Sequence, residues 1–151
     1  MNNITSLDCI ANVKESYEQA ISEQIALCDI LEDIADSLPY NIDKQICNHT
    51  SIMLNSIIKR AHRIEQDILF PYLKDNAPNA IDLTKTFARL KKQNLRDQYS
   101  GEELAEILLS YAINKPSHSA ETTGYIIRAY FESLRRHIAF VDELINPTFD
   151  Q

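Results

Sequence analysis

Glycine is almost missing from this sequence, with 2 among 151 residues, where average usage of about 7% would supply roughly eleven. The positive-φ turns of β-hairpins and the backbone cradles of phosphate loops depend on glycine. Sandwiches, barrels, Rossmann folds and P-loops are therefore disfavoured. The motifs GxSxG, HExxH, GxxxxGK and GxGxxG are absent too, which removes the common hydrolase, metalloprotease and nucleotide-binding signatures. Cysteine is scarce: Cys9, Cys28 and Cys47 are odd in number and match no CxxC or zinc spacing, so they read as reduced packing residues. No run approaches the ~18 apolar residues of a membrane span. The N-terminal MNNITSLDCI has neither the positive nor the apolar region of a signal peptide, and the expected location is cytoplasmic.

Positive charge is also in deficit, with 15 Lys and Arg against 22 Asp and Glu and a net charge of −7. Such a balance repels nucleic acid and anionic lipid, and neither is expected as a partner. The basic clusters Arg89 to Arg96 and Arg135-Arg136 are short and read as solvated helix faces. What the chain has is length for a single domain, enough to bury roughly 68 to 70% of its unfolded surface.

Proline is poorly tolerated inside a helix, and Pro39, Pro71, Pro78, Pro116 and Pro147 divide the chain into four segments. Each carries apolar residues at three- and four-residue spacing, the mark of a helix face. The first stripe is Val13, Tyr17, Ala20, Leu27, Leu31, Ala35 and Leu38; the second is Ile46, Met53, Ile57, Ala61, Ile64 and Ile68. The third runs Leu83, Phe87, Leu90, Leu104, Leu108 and Ala112, with at most a kink at Gly101; the fourth runs from Ile127 to Ile145. Four long helices with short links predict an all-α, up-down-up-down antiparallel four-helix bundle over 11–151, preceded by a flexible arm at 1–10.

Every stripe is interrupted by polar side chains: Gln24 in the first, Glu65 in the second, Asn94 and Asp97 with Gln98 at the margin in the third, His137 and Asp142 on opposite flanks of the fourth. Burying such groups is unfavourable unless they bond to one another, to water or to a metal, so they are expected to converge. The Glu-x-x-His pattern of ferritin-like bundles is missing, since Ile46, Lys59, Lys115 and Leu134 stand three residues before His49, His62, His118 and His137.

These residues resemble the hemerythrin family, including its bacterial HHE cation-binding members. AHRIEQDILFPYL, Ala61 to Leu73, looks like the family's HHxxEExxLFPxL. HIAFVDELINP, His137 to Pro147, is similar to its last segment, and EQIALCDILEDIADSL, Glu23 to Leu38, to its first helix. The third helix, RLKKQNLRD from Arg89 to Asp97, matches more loosely. The resemblance implies two irons held by five histidines and two carboxylates, with a position open for dioxygen. Carried over position by position, Glu65, His137 and Asp142 keep a ligand, whereas Gln24, Ala61, Asn94 and Gln98 stand where the family has histidine. His62 falls at the second, non-ligating histidine of the HH pair, on the helix surface and within reach of an i, i+3 pair with Glu65.

Amides are weak iron ligands and alanine is none, so reversible dioxygen binding does not survive these replacements. The resemblance then implies a non-enzymatic regulatory or interaction module without a cofactor, in which Gln24, Asn94 and Gln98 hydrogen-bond Glu65 and His137. The alternative is one iron, zinc or manganese ion on Glu65, His137 and Asp142, used in metal, oxygen or redox sensing. An unidentified protein partner suits the first reading. Scattered Tyr72, Tyr99 and Tyr125 define no interface, and a homodimer has no support in the sequence.

Overall fold

A computed structural model describes residues 6–76 and 82–150. Helix α1 spans Ser6–Ser37, α2 Lys44–Ile64, a π-helical turn Glu65–Leu69, α3 Phe70–Asn76, α4 Thr84–Ala112 and α5 Ala120–Phe149. The π turn and α3 continue α2, so the architecture is a four-helix bundle and, among the described residues, contains no strand. Around the bundle each long helix touches two others: α1 packs on α2 and α5, and α4 closes the ring against the same two.

Local chemistry sets the helix ends. The Asp43 carboxylate accepts the Gln45 and Ile46 amides at 2.9 and 3.2 Å, and Ser119 Oγ accepts the Thr122 amide at 3.2 Å. Both satisfy N–H groups that have no partner within the helix. Helix α4 stops where Asn114 adopts φ 60°. The Lys115 amide then bonds the Ser110 carbonyl and the Asn114 amide the Tyr111 carbonyl, the Schellman arrangement that a left-handed residue permits.

The antiparallel order is visible in how each helix crosses two apolar clusters. Leu27, Leu31, Leu54, Ile58, Leu104, Leu108, Ile127 and Phe131 belong to one cluster. Val13, Leu69, Phe70, Leu73, Leu90, Val141 and Ile145 belong to the other. Helices α1 and α4 pass from the second to the first, and α2 with its continuation and α5 pass from the first to the second. Full burial of one such aliphatic side chain contributes about 1.5–3 kcal/mol, so two clusters of this size hold the helices in register.

Two expectations change. Helix α1 already begins at Ser6, inside the stretch expected to be an arm, and Ile10 packs on the second cluster; residues 1–5 of that expectation lie outside the described residues. Gly101 lies inside an unbroken α4, within the expectation of at most a kink. A Cβ there would sit 3.0 Å from Leu54 Cδ2 and 3.1 Å from Tyr130 Oη, so glycine is what lets α4 lie against α2 and α5. The second change is rotational: α2 buries Cys47, Thr50, Leu54, Ile58, Ala61 and His62, while Ile46 and Met53 are exposed. Counting apolar residues had turned the face toward Ile46, Met53 and Ile57, because the real face includes polar Thr50, His62 and Glu65.

Pro71 and Pro147 also lie within helical runs. The π turn sits where Pro71 would meet the Asp67 carbonyl in a regular helix, and widening of this kind accommodates a proline. Pro147 falls in the last turn of α5, where only one intrahelical bond is lost.

Candidate functional site

Between the two apolar clusters each helix carries its polar residues to the same level. Glu65 comes from the π turn, His137 from α5, and Asn94 and Asp97 from α4. A buried carboxylate must be paired and hydrogen-bonded. Glu65, 4% exposed, meets this condition with both oxygens: Oε1 lies 2.6 Å from His137 Nε2, and Oε2 accepts from Asn94 Nδ2 at 3.0 Å. Burial drags the His137 imidazole down, yet the hydrogen bond to Glu65 and the charges of Glu65 and Asp97 outweigh it and raise its pKa above the ordinary value. The shift favours the imidazolium form of His137, and the short bond to Glu65 joins the π turn to α5.

His62 belongs to this layer and not to the surface: it is 1% exposed, and its Nδ1 meets Gln98 Nε2 at 3.2 Å. With the amide donating, Nδ1 accepts and the neutral ring carries its proton on Nε2. Burial pushes the His62 pKa down to about 4, against the pull of Glu65. Its ring meets the edge of His137 with centroids 6.2 Å apart. The pKa values of the two neighbouring histidines are thus shifted in opposite directions, because only His137 bonds a carboxylate directly.

Asp97 accepts from Gln93 Nε2 at 2.9 Å, and burial raises its pKa. Gln24 turns its amide nitrogen back to the Ala20 carbonyl at 3.2 Å. Gln24 Oε1, His62 Nε2, Asn94 Oδ1, Asp97 Oδ2 and Tyr130 Oη are buried without a protein partner. Polar atoms of this kind, drawn from all four long helices, are what a few internal water molecules satisfy.

Asp142 stands apart from this pair. Tyr17 Oη donates to its Oδ1 and Asn146 Nδ2 to its Oδ2 at 2.8 Å. Burial and then the hydrogen bond to Asp142 lift the Tyr17 hydroxyl well above the ordinary phenol range. Among the described residues no three His, Cys, Asp or Glu side chains are grouped so as to hold a metal ion.

The donor set accordingly does not fit a transition metal as it stands. Both Glu65 oxygens face N–H donors, one imidazole is engaged with Glu65, and Ala61 offers a methyl group where the family has a ligand. Of the predicted site residues, the structure joins Glu65, His137 and Asn94 directly. Asp142 is held by Tyr17 and Asn146 instead, Gln98 reaches His62 rather than Glu65 or His137, and Gln24 bonds its own helix. Tyr17, Gln93 and Tyr130 were missed because an aromatic in an apolar stripe, or an amide beside it, gives no sequence signal of its polar contacts. His62 was misplaced by the rotated face of α2. The Cys47, Thr50, Leu54, Ile58, Ala61, Glu65 spacing would have located it.

Searches of curated proteins and of solved structures returned no match. A family model does match: the hemerythrin HHE cation-binding domain, over residues 19–149. With its four-helix bundle and the LFP segment following Glu65, the chain belongs to the hemerythrin HHE family.

Proposed function

We propose that this protein is a non-enzymatic, cytoplasmic HHE-family module in which a hydrogen-bonded polar layer occupies the place of the metal centre and which acts in regulation or protein interaction. The observation that supports this reading most is the saturation of Glu65 by His137 and Asn94. Each family histidine that is lost here has become either a methyl group or an amide, and two of the amides, Asn94 and Gln98, bond the surviving carboxylate and the neighbouring His62. The bundle does not need an ion to close, since its helices are held by apolar packing on both sides of the layer.

Element analysis of protein expressed in iron-supplemented medium tests the reading. The expected result is far less than one metal per chain; two irons with an oxo-bridge absorption overturn it. The competing reading is one iron, zinc or manganese ion on Glu65, His137 and Asp142, which requires Glu65 to release His137 and Asn94, and Asp142 to release Tyr17. A metal-dependent rise in Tm that His137→Ala abolishes would establish that ion instead.

A further inference from the structure

We propose that the cleft between α4 and α5 is a binding site for a small phosphate-bearing anion, gripped by the Arg89 and Arg136 guanidiniums that line it. The seam between α4 and α5 is the most loosely packed of the four around the bundle, and it leaves a cavity of about 380 Å³. That is the low end of the range for small-molecule sites. His137, Leu90 and Phe140 line it together with Gln93 and Ser133.

Its charge sets this cleft apart. In a chain with 22 acidic residues, no carboxylate lines it. The other main grooves each carry at least one: Glu23 between α1 and α2, Asp142 beside Tyr17, Asp67 beside Cys9, and Asp33 near the end of α1. The two internal carboxylates behind the lining are each engaged by a lining residue, Asp97 by the Gln93 amide and Glu65 by His137.

Arg89 of α4 and Arg136 of α5 both line the cleft, and neither is in a salt bridge among the described residues. Arg60, Arg128 and Arg135, by contrast, are each neutralised by a carboxylate. Arg89 is also held in place, its guanidinium lying 5.8 Å from the centre of the Phe140 ring, so it spans from α4 to α5 and loses less freedom on binding. A guanidinium presents a planar fork of donors that matches phosphate oxygens two at a time, and two such forks balance a dianion. The Ser133 hydroxyl adds a neutral donor, and Leu90 with Phe140 offers an apolar wall to the organic part of a phosphate monoester. Nothing in this argument depends on whether Glu65 and His137 ever carry a cation.

Isothermal titration of the full chain in EDTA, with inorganic phosphate in one arm and glycerol 3-phosphate in the other, tests the site. EDTA removes any metal that would itself bind phosphate. The expected result is saturable binding of one ligand per chain. Arg89→Gln and Arg136→Gln should each weaken it about tenfold or more, while Arg128→Gln leaves it unchanged. Tighter binding of glycerol 3-phosphate identifies a monoester as the ligand, and tighter binding of phosphate identifies the free ion. Arg89→Lys retains the charge without the fork and should bind weakly but measurably, which guards against a loss caused by misfolding of Arg89→Gln. Absence of saturable heat with both probes up to about 10 mM, or equal affinity in Arg136→Gln and the parent, overturns the proposal.

Discussion

The apolar cluster around Leu31 and Leu108 and the polar layer around Glu65 are equally buried, but they are stable for different reasons. In the cluster each side chain gains from every neighbour and no single contact is obligatory, because dispersion and the hydrophobic effect lack direction. In the layer the contacts are few and directional. Glu65 is acceptable inside the protein only while His137 and Asn94 supply donors, so removal of one partner leaves another stranded. The cluster is tolerant of detail and the layer is not.

The sharpest way to break this contrast is Glu65→Ala, which strands buried His137 without its partner. It should lose about 3–5 kcal/mol in urea unfolding. Replacing both partners, Glu65→Leu with His137→Leu, should recover most of that loss, because a buried ion pair is worth little relative to well-packed apolar groups. A double variant as unstable as the single one would show that the layer is not organised around this pair. Next in size is Leu31→Ala in the apolar cluster, expected to cost about 2–5 kcal/mol according to how far the site collapses. Its effect should be independent of pH, unlike that of Glu65→Ala.

Acid should act on the layer and spare the cluster. With the His62 pKa lowered to about 4, the folded state favours the neutral ring more than the unfolded chain does, whose value lies near ~6.5. The resulting stability is fully present above ~6.5 and is lost as the pH falls through about 4. His137 has the opposite sign: its raised pKa contributes fully below ~6.5 and fades as the pH rises through the folded value. Tm measured from pH 4 to 8 should therefore fall on the acid side, and His62→Gln should flatten that limb. An unchanged acid limb would remove His62 from the account. The smallest effect concerns the cysteines. Burial pushes both the Cys28 and Cys47 thiols up to about 11, whereas Cys9 is exposed. A thiol reagent at pH 8 should label Cys9 alone in the native protein and all three after denaturation.

Much of the fold was legible because periodicity is a local signal. The buried faces of α1 and α5 agree with their stripes, from Val13 to Ala35 and from Ile127 to Ile145. Helix α2 was read about one residue out of phase, since its inward face carries Thr50, His62 and Glu65 and its outward flank carries Ile46 and Met53. Polar residues in an apolar stripe announce a site but also blur the stripe that locates them. The candidate site was legible as a set of residues and not as a set of bonds. Glu65, Asn94 and His137 could be picked out, but the capture of Asp142 by Tyr17 pairs residues far apart in the chain, and a phenol at an apolar position looks like packing.

The sequence by itself determined a helical bundle and an interior interrupted by polar groups, because these follow from residue identity and short-range spacing. Only the tertiary structure decided which polar groups meet, that His62 and His137 are buried side by side with pKa values shifted in opposite directions, and that Arg89 and Arg136 share a cleft free of carboxylates. Hydrogen bonds and electrostatic fields depend on distances between helices, and those distances are fixed only when the apolar clusters on either side of the layer have packed.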